Sequence, residues 1–169
     1  MRCQSILALT HLTAASSSVS LVHGLVKVRP DEPVPTDAVV DTVSAAQNEY
    51  ESVQVVVAAS EATTVTDLQV SLAGLSQESV LVHRARYINI TTVSDCDGAL
   101  GRWPDALVPV TDPYFNETRN ALPCAVPAAT NQVFWVDVFV PPGTAPGMHN
   151  GSVVVRFAGD GVEDATLAL

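Results

Sequence analysis

The fold is decided by one stretch of the sequence, Gln132-Val133-Phe134-Trp135-Val136-Asp137-Val138-Phe139-Val140. Successive side chains of a β-strand point to opposite faces of its sheet. In this stretch one face carries a phenylalanine and three valines, and the opposite face carries Trp135, Asp137 and Phe139. Large apolar side chains on both faces predict a strand that is covered on both sides.

Working outward, the rest of the chain shows short β patterns separated by Pro, Gly and Asn, with no sustained helical period. Residues 66–72 alternate strictly between apolar and polar, which predicts one wet face, and residues 50–58 indicate a half-buried strand. The predicted strands are 25–29, 38–45, 50–58, 66–72, 80–90, 132–140, 152–157 and 162–169. This spacing predicts an all-β fold, a two-sheet antiparallel β-sandwich.

Residues 94–131 interrupt this pattern, because they show no strand signal over about 38 residues. We predict one long irregular loop here. The loop is rich in acidic and aromatic side chains, and Cys96 and Cys124 lie near its two ends.

Length and charge exclude several classes of protein. The 169 residues allow one ordinary domain, and 47% apolar residues suffice for a packed core. A net charge of −10 would repel a nucleic acid and an anionic membrane surface, so neither is an expected partner. The chain has no apolar run of the length that a membrane-spanning helix needs. Nothing in the sequence implies a cofactor.

The first 24 residues resemble a secretory signal peptide. Arg2 precedes an apolar stretch at 6–12, and the small residues that follow suit a signal peptidase, with a cut after Ala15 or after Gly24. The alternative is an ordinary disordered N-terminus. We therefore predict a secreted protein whose folded domain spans 25–169.

Two further features suit secretion. Asn89, Asn116 and Asn150 each begin an Asn-x-Ser/Thr acceptor site for N-glycosylation. Removing the leader also removes Cys3, which leaves Cys96 and Cys124 as an even pair in an oxidising compartment. We predict one disulfide between them; the alternative is two separate buried thiols.

Several stretches taken in order carry a family resemblance. They are AAQNEYESVQ (45–54), YINIT (87–91), WPDALVP (103–109), DPY (112–114), Arg119-Asn120-Ala121, VDVFVP (136–141) and the Pro-Gly pair at 146–147. Together they resemble the N-terminal domain of glycoside hydrolase family 123-like proteins. In that family a β-sandwich precedes a (β/α)₈ barrel that acts on N-acetyl-β-galactosaminides with retention, through the acetamido group of the substrate.

The resemblance implies a supporting rather than a catalytic role for this chain. The family's acidic catalytic pair lies in the barrel, so no residue here inherits a catalytic role. Because the sequence ends within the apolar strand pattern at 162–169, we predict a truncated product whose partner is a C-terminal catalytic barrel. The alternative is a free-standing secreted carbohydrate-binding or fibronectin-like adhesion module.

Aromatic residues of the 94–131 segment are the candidate contact residues. Trp103, Tyr114 and Phe115 have faces on which a pyranose can stack, and Asp105 and Arg119 can hydrogen-bond sugar hydroxyls. The alternative is that they anchor the loop to the sandwich or to a neighbouring domain. The sequence thus leaves open a glycan contact or a domain contact.

Acidic side chains of the same segment suggest a calcium site only weakly. Asp95, Asp97, Asp105 and Asp112 match no known calcium-loop spacing, so we interpret them as turn-forming residues and predict no metal. The carboxylate pairs Glu49/Glu51 and Asp95/Asp97 lie in a strand and in a loop, where an independent catalytic site is not expected.

Overall fold

The computed structural model describes residues 17–96, 98–159 and 162–169. The strands are β1 (Ser17–His23), β2 (Glu49–Ala59), β3 (Thr63–Leu72), β4 (Val80–Ile90), β5 (Gly101–Pro109), β6 (Thr111–Asp112), β7 (Glu117–Thr118), β8 (Cys124–Val126), β9 (Thr130–Val140), β10 (Asn150–Phe157) and β11 (Val162–Ala168). Two single-turn 3₁₀ segments, Thr36–Ala38 and Gln77–Ser79, are the only helical elements among the described residues.

The strands form two main antiparallel sheets. The first sheet has the order β1-β2-β9-β4-β5 and the second has the order β11-β10-β3-β8, while β6 and β7 pair separately as a small hairpin. Apolar side chains from the inner faces of both sheets build one shared core. The predicted all-β sandwich is therefore confirmed.

Strand β9, which contains the decisive stretch, lies in the interior as predicted. It pairs with β2 along its whole length, from Glu49↔Val140 to Ala59↔Thr130, and with β4 on its other side. On its inner face Phe134 is fully buried and packs in the core between the sheets. The outer face is covered in part by the segment 24–38.

This covering segment corrects two predictions. Residues 25–29 form no strand; they cross the outer face of the first sheet, where Val28 packs with Val56 and Val133 in a second buried cluster. The side-chain amide of Gln54 donates to the carbonyls of His23 (2.9 Å) and Val26 (2.6 Å), so this backbone needs no strand partner. Strand β2 is consequently buried on both faces at its centre, not half-buried.

The prediction of one long irregular loop at 94–131 is also wrong, because strands make up 18 of these 38 residues. Strand β5 pairs with β4 as the outer strand of the first sheet, and β8 pairs with β3 as the outer strand of the second. An edge strand tolerates proline because one side of its backbone has no partner. Because Pro104 and Pro109 interrupt the pattern of β5, the sequence did not predict this strand.

The predicted disulfide is not present: Cys96 and Cys124 are both free thiols. Cys124 lies in β8 and is buried in the core, where its thiol contacts the side-chain oxygen of Gln132 at 3.7 Å. Burial raises the pKa of the Cys124 thiol. Cys96 lies exposed on the connection between β4 and β5, which belong to the other sheet. Cys124 is thus buried in a strand of the second sheet, whereas Cys96 is exposed on a connection between two strands of the first sheet.

A tyrosine hydroxyl closes the gap where β4 leaves β9. The pairing of these strands ends at Arg84, and beyond it the hydroxyl of Tyr87 accepts from the backbone N–H of Val133 (3.1 Å) and donates to the carbonyl of Asn131 (3.2 Å). Burial raises the pKa of Tyr87 to about 12. The side chain therefore replaces two backbone contacts that a continuing strand would have supplied.

We expect Tyr87→Phe to lower the free energy of unfolding by about 1–3 kcal/mol, because two backbone groups lose their partner. Because the pKa is raised in the folded state, the stabilisation by neutral Tyr87 is present below pH 10 and is lost as the pH rises toward 12. Urea denaturation at neutral pH measures the first effect. Absorbance titration at 295 nm measures the second, since the variant should lack the tyrosinate step near pH 12. A variant as stable as the parent would contradict this role.

Candidate functional site

The sandwich has two ends, which we name by a residue at each. The Leu169 end holds the start of β2, the end of β9 and the start of β10; there Leu169 and His149 exchange backbone hydrogen bonds. The Trp103 end holds the opposite termini of these strands and the connection between β4 and β5. Strand β5 begins at the Trp103 end, and its last residue, Pro109, lies opposite His83, which pairs with Trp135 in the middle of β9.

A groove of about 550 Å³ lies at the Trp103 end. Ile88 is directly opposite Trp103 in the β4–β5 pairing, so the two side chains share one face of the ribbon, together with Ile90. The apolar part of the lining is Ile88, Ile90, Val93, Trp103 and Pro104. The polar part is Lys27, Thr92, Ser94, Asp95 and Asp105. The groove thus combines an apolar floor with a hydrophilic rim.

The indole of Trp103 is held in a fixed orientation. Its Nε1 donates to the carbonyl of Ala99 (2.8 Å), and the guanidinium of Arg29 lies over one ring face, 4.8 Å from its centroid. Trp103 lines the groove, whereas Arg29 does not.

Arg29 ties the covering segment 24–38 to this end of β5. Its guanidinium donates to the carbonyls of Leu100 (2.6 Å) and Arg102 (3.3 Å). Gly101 lies between them at φ +105°, a conformation that favours glycine, and a Cβ there would collide with the guanidinium. The close approach of Arg29 therefore depends on glycine at this position.

A second ion pair supports the same wall. Arg102 donates through Nε and Nη2 to both carboxylate oxygens of Asp31 in the covering segment. This two-point hydrogen bond lowers the pKa of Asp31 below its ordinary value. The pair joins the covering segment to the first residues of β5.

The other predicted contact residues lie in the β6–β7 hairpin, which follows β5 and whose base is bonded to Val82 of β4 through Val110. Asp112 accepts from the backbone N–H of Tyr114 (2.9 Å) and of Phe115 (3.2 Å), and its other oxygen accepts from Arg119 (2.6 Å). The bonds from Arg119, and then those from the backbone, lower the pKa of Asp112. Tyr114 and Phe115 are 92% and 72% exposed. The five predicted residues therefore fall into two groups, a groove with Trp103 and Asp105 and a distant hairpin.

The four aspartates considered for calcium do not come together. Asp95 and Asp105 line the groove, Asp112 is bonded within the hairpin, and Asp97 lies outside the described residues. Within the described ranges no three acidic, histidine or cysteine side chains are grouped as metal ligands would be. Also within those ranges, no helix has the length and apolar character needed to cross a bilayer.

The three predicted glycosylation sites are all on the surface. Asn89 is exposed near the end of β4, Asn116 is exposed in the β6–β7 hairpin, and Asn150 is exposed at the start of β10. Surface exposure is a requirement for such modification, so these sites stay predictions with suitable positions.

Reading the sequence missed the residues that hold Trp103 in place. Arg29 and Leu100 are 71 positions apart, and Asp31 and Arg102 are also 71 apart. No local pattern joins such distant positions. A weak signal existed only in the scarcity of basic residues, since eight Lys and Arg in 169 residues make each one conspicuous.

Comparisons with known proteins place the fold. No family model matches the sequence, and no curated protein matches it. A solved family 123 glycoside hydrolase from Clostridium perfringens, studied for glycolipid glycan hydrolysis, superposes with a TM-score of 0.67 at 12% identity over 90% of this chain. AvmM, which catalyses macrocyclization in alchivemycin A biosynthesis, gives a TM-score of 0.42 at 9% identity, over 90% of this chain and 88% of its own. This chain spans 27% of the family 123 structure, and so it has the fold of a part of that glycoside hydrolase.

Proposed function

We propose that this chain is a non-catalytic N-terminal β-sandwich domain of a glycoside hydrolase family 123-like protein, and that it supports a (β/α)₈ barrel encoded downstream. The observation that carries the proposal is the shared fold, which covers 90% of this chain but 27% of the family 123 structure. The sequence resemblance at 45–54, 103–109 and 136–141 supports the same assignment.

The chemistry of the carboxylates supports a non-catalytic role. Glycoside hydrolysis uses two carboxyl groups flanking the bond, one of them kept protonated by a raised pKa. Asp31 and Asp112 have lowered pKa values, because each is bonded to an arginine. Glu49 instead accepts from the backbone N–H of Ala46 (2.6 Å) and so stabilises a turn. Each of these carboxylates therefore has a structural partner.

Exposed large side chains suit contact with the downstream barrel. They are Tyr50 and Met148, near the Leu169 end, and Tyr114 and Phe115, in the β6–β7 hairpin. Exposed aromatic and Met side chains are enriched at the centres of protein interfaces. Leu169 pairs with His149, so a continuing chain would leave the sandwich close to Met148. The β6–β7 hairpin is accordingly the proposed docking element.

The test begins with the transcript beyond codon 169. We expect it to encode alternating βα units, and the complete product to release sugar from a chromogenic N-acetyl-β-galactosaminide that this chain alone does not hydrolyse. In the complete product, replacing Tyr114 and Phe115 by Ala should lower the free energy of unfolding by about 2 kcal/mol, through lost interface contacts. In this chain alone the same change should cost less than about 0.5 kcal/mol, because both side chains are exposed.

Leu25→Ala is the matched control, because Leu25 is 88% exposed and lies outside the β6–β7 hairpin. It should alter neither the complete product nor this chain. A stop codon directly after residue 169, or sugar release by this chain alone, would overturn the proposal. Equal effects of the hairpin variant in both products would overturn the docking role of the hairpin.

A further inference from the structure

The wall of the groove beside Trp103 is held in place by contacts within the protein, and the groove is open on one side. The indole is oriented by Ala99 and Arg29 without any ligand, and the wall behind it is joined by the Asp31–Arg102 pair. A preoriented side chain loses little conformational freedom when a ligand stacks on it. At about 550 Å³ the groove lies within the range of small-molecule sites.

The groove lining indicates the chemical class of the ligand. An apolar floor of Ile88, Ile90 and Trp103 suits the C–H face of a pyranose, while the exposed carboxylate of Asp105 at the rim can accept hydrogen bonds from its hydroxyls. An anionic ligand is disfavoured, because the lining has two carboxylates against one ammonium group, that of Lys27. A wholly apolar ligand would desolvate the rim without offering hydrogen bonds.

The position of the groove separates it from the proposed docking element. It lies beside the first residues of β5, whereas the exposed hairpin follows the last residue of that strand. Asn89 lies between Ile88 and Ile90 in β4, so its side chain points to the opposite face of the ribbon and a glycan there would leave the groove open. A ligand can therefore reach the groove without the downstream domain.

We propose that this groove is a saccharide-binding site of the β-sandwich itself, in which a neutral pyranose stacks on Trp103 and its hydroxyls bond to the acidic rim. The inference goes beyond the supporting role proposed above, because it assigns a ligand to this chain alone. The site is a binding site and performs no bond cleavage.

The test is a titration of the 169-residue chain, followed by ¹⁵N–¹H NMR, with methyl β-glycosides of glucose, galactose, N-acetylglucosamine and N-acetylgalactosamine and with lactose and diacetylchitobiose. Concentrations up to about 20 mM detect dissociation constants in the millimolar range. We expect at least one probe to shift the indole resonance of Trp103 and the amides of Ile88 and Ile90. Trp103→Ala should raise the dissociation constant of that probe about tenfold or more, and Asp105→Asn should raise it about fivefold.

Phe115→Ala is the matched control, since it removes an exposed aromatic ring in the β6–β7 hairpin and should leave the affinity unchanged. Trp103→Phe keeps a flat ring but loses the bond to Ala99, so it should bind more tightly than the alanine variant. If Trp103→Ala does not fold, Asp105→Asn decides the question, because its side chain is exposed.

Three results would overturn the inference. They are the absence of any shift at the groove with every probe, an unchanged affinity in a folded Trp103→Ala or in Asp105→Asn, and shifts confined to the β6–β7 hairpin. All are measured on this chain alone, so they are independent of whether the complete product depends on Tyr114 and Phe115. A failure of either proposal can thus be told from a failure of the other.

Discussion

A chain that begins at Leu25 is expected not to fold, whereas a chain that begins at Ser16 is expected to fold. Strand β1 pairs with β2 from Ser17↔Ala59 to His23↔Val53, and its Leu21 and Val22 are 3% and 0% exposed. Losing two buried side chains removes about 3–6 kcal/mol of apolar burial. The same truncation also removes the His23 carbonyl that Gln54 binds. Domains of this size are stable by only about 5–15 kcal/mol, so little stability would remain.

This result bears directly on the predicted leader. A cut after Gly24 would remove all of β1, and a cut after Ala15 would keep it. If the protein is secreted, we expect the mature N-terminus at or before Ser17, which mass spectrometry of the secreted protein measures. Far-UV circular dichroism and thermal melts compare the two truncated chains. A chain from Leu25 that melts cooperatively at the temperature of the longer one would contradict the role of β1.

Phe134→Ala is expected to lower the free energy of unfolding by about 3–5 kcal/mol. Phe134 is the largest fully buried side chain among the described residues, and it lies on the inner face of the central strand β9. Removing its ring leaves a cavity between the two sheets, which paired strands on both sides of β9 prevent from collapsing. Urea denaturation followed by circular dichroism measures the loss.

Phe139→Ala is the control for this effect on the same strand. Phe139 lies on the outer face, partly exposed, with its ring 4.7 Å from that of Tyr50. Its loss should therefore cost only about 1 kcal/mol. Equal losses in the two variants would show that the inner face of β9 is not the centre of the core. A loss below 1 kcal/mol for Phe134→Ala would show the same.

The strands that could be predicted are those in which the order of apolar and polar side chains reflects which faces of the strand are buried. The predicted strand 80–90 matches β4 at both ends, and the valines at 53 and 55–57 mark the centre of β2. Strand β5 could not be found this way, because Pro104 and Asp105 interrupt its pattern and its pairing is supplied by β4 alone. The covering segment 24–38 resembled a strand because its valines are buried, although they are buried against a sheet and not within one.

The candidate site was partly predictable. Trp103 and Asp105 stood out as an aromatic and an acidic residue close together in the chain, and the structure places both in one groove. Tyr114, Phe115 and Arg119 were grouped with them because they belong to the same segment. The intervening length of β5 separates them from the groove. Proximity in sequence is a poor guide when an extended strand separates two residues by 3.3 Å per position.

The sequence by itself determined the all-β class, the interior position of β9 and the net charge of −10, because each of these is a local or a summed property of side chains. Only the tertiary structure decided which residues share a site. The contacts of Arg29 with Leu100 and Trp103, and of Asp31 with Arg102, join positions about 70 apart. Such contacts arise from the order in which strands pair, and no periodicity along the chain encodes that order. The same holds for Cys96 and Cys124. Their spacing in the sequence is compatible with a disulfide, but in the structure both are free thiols.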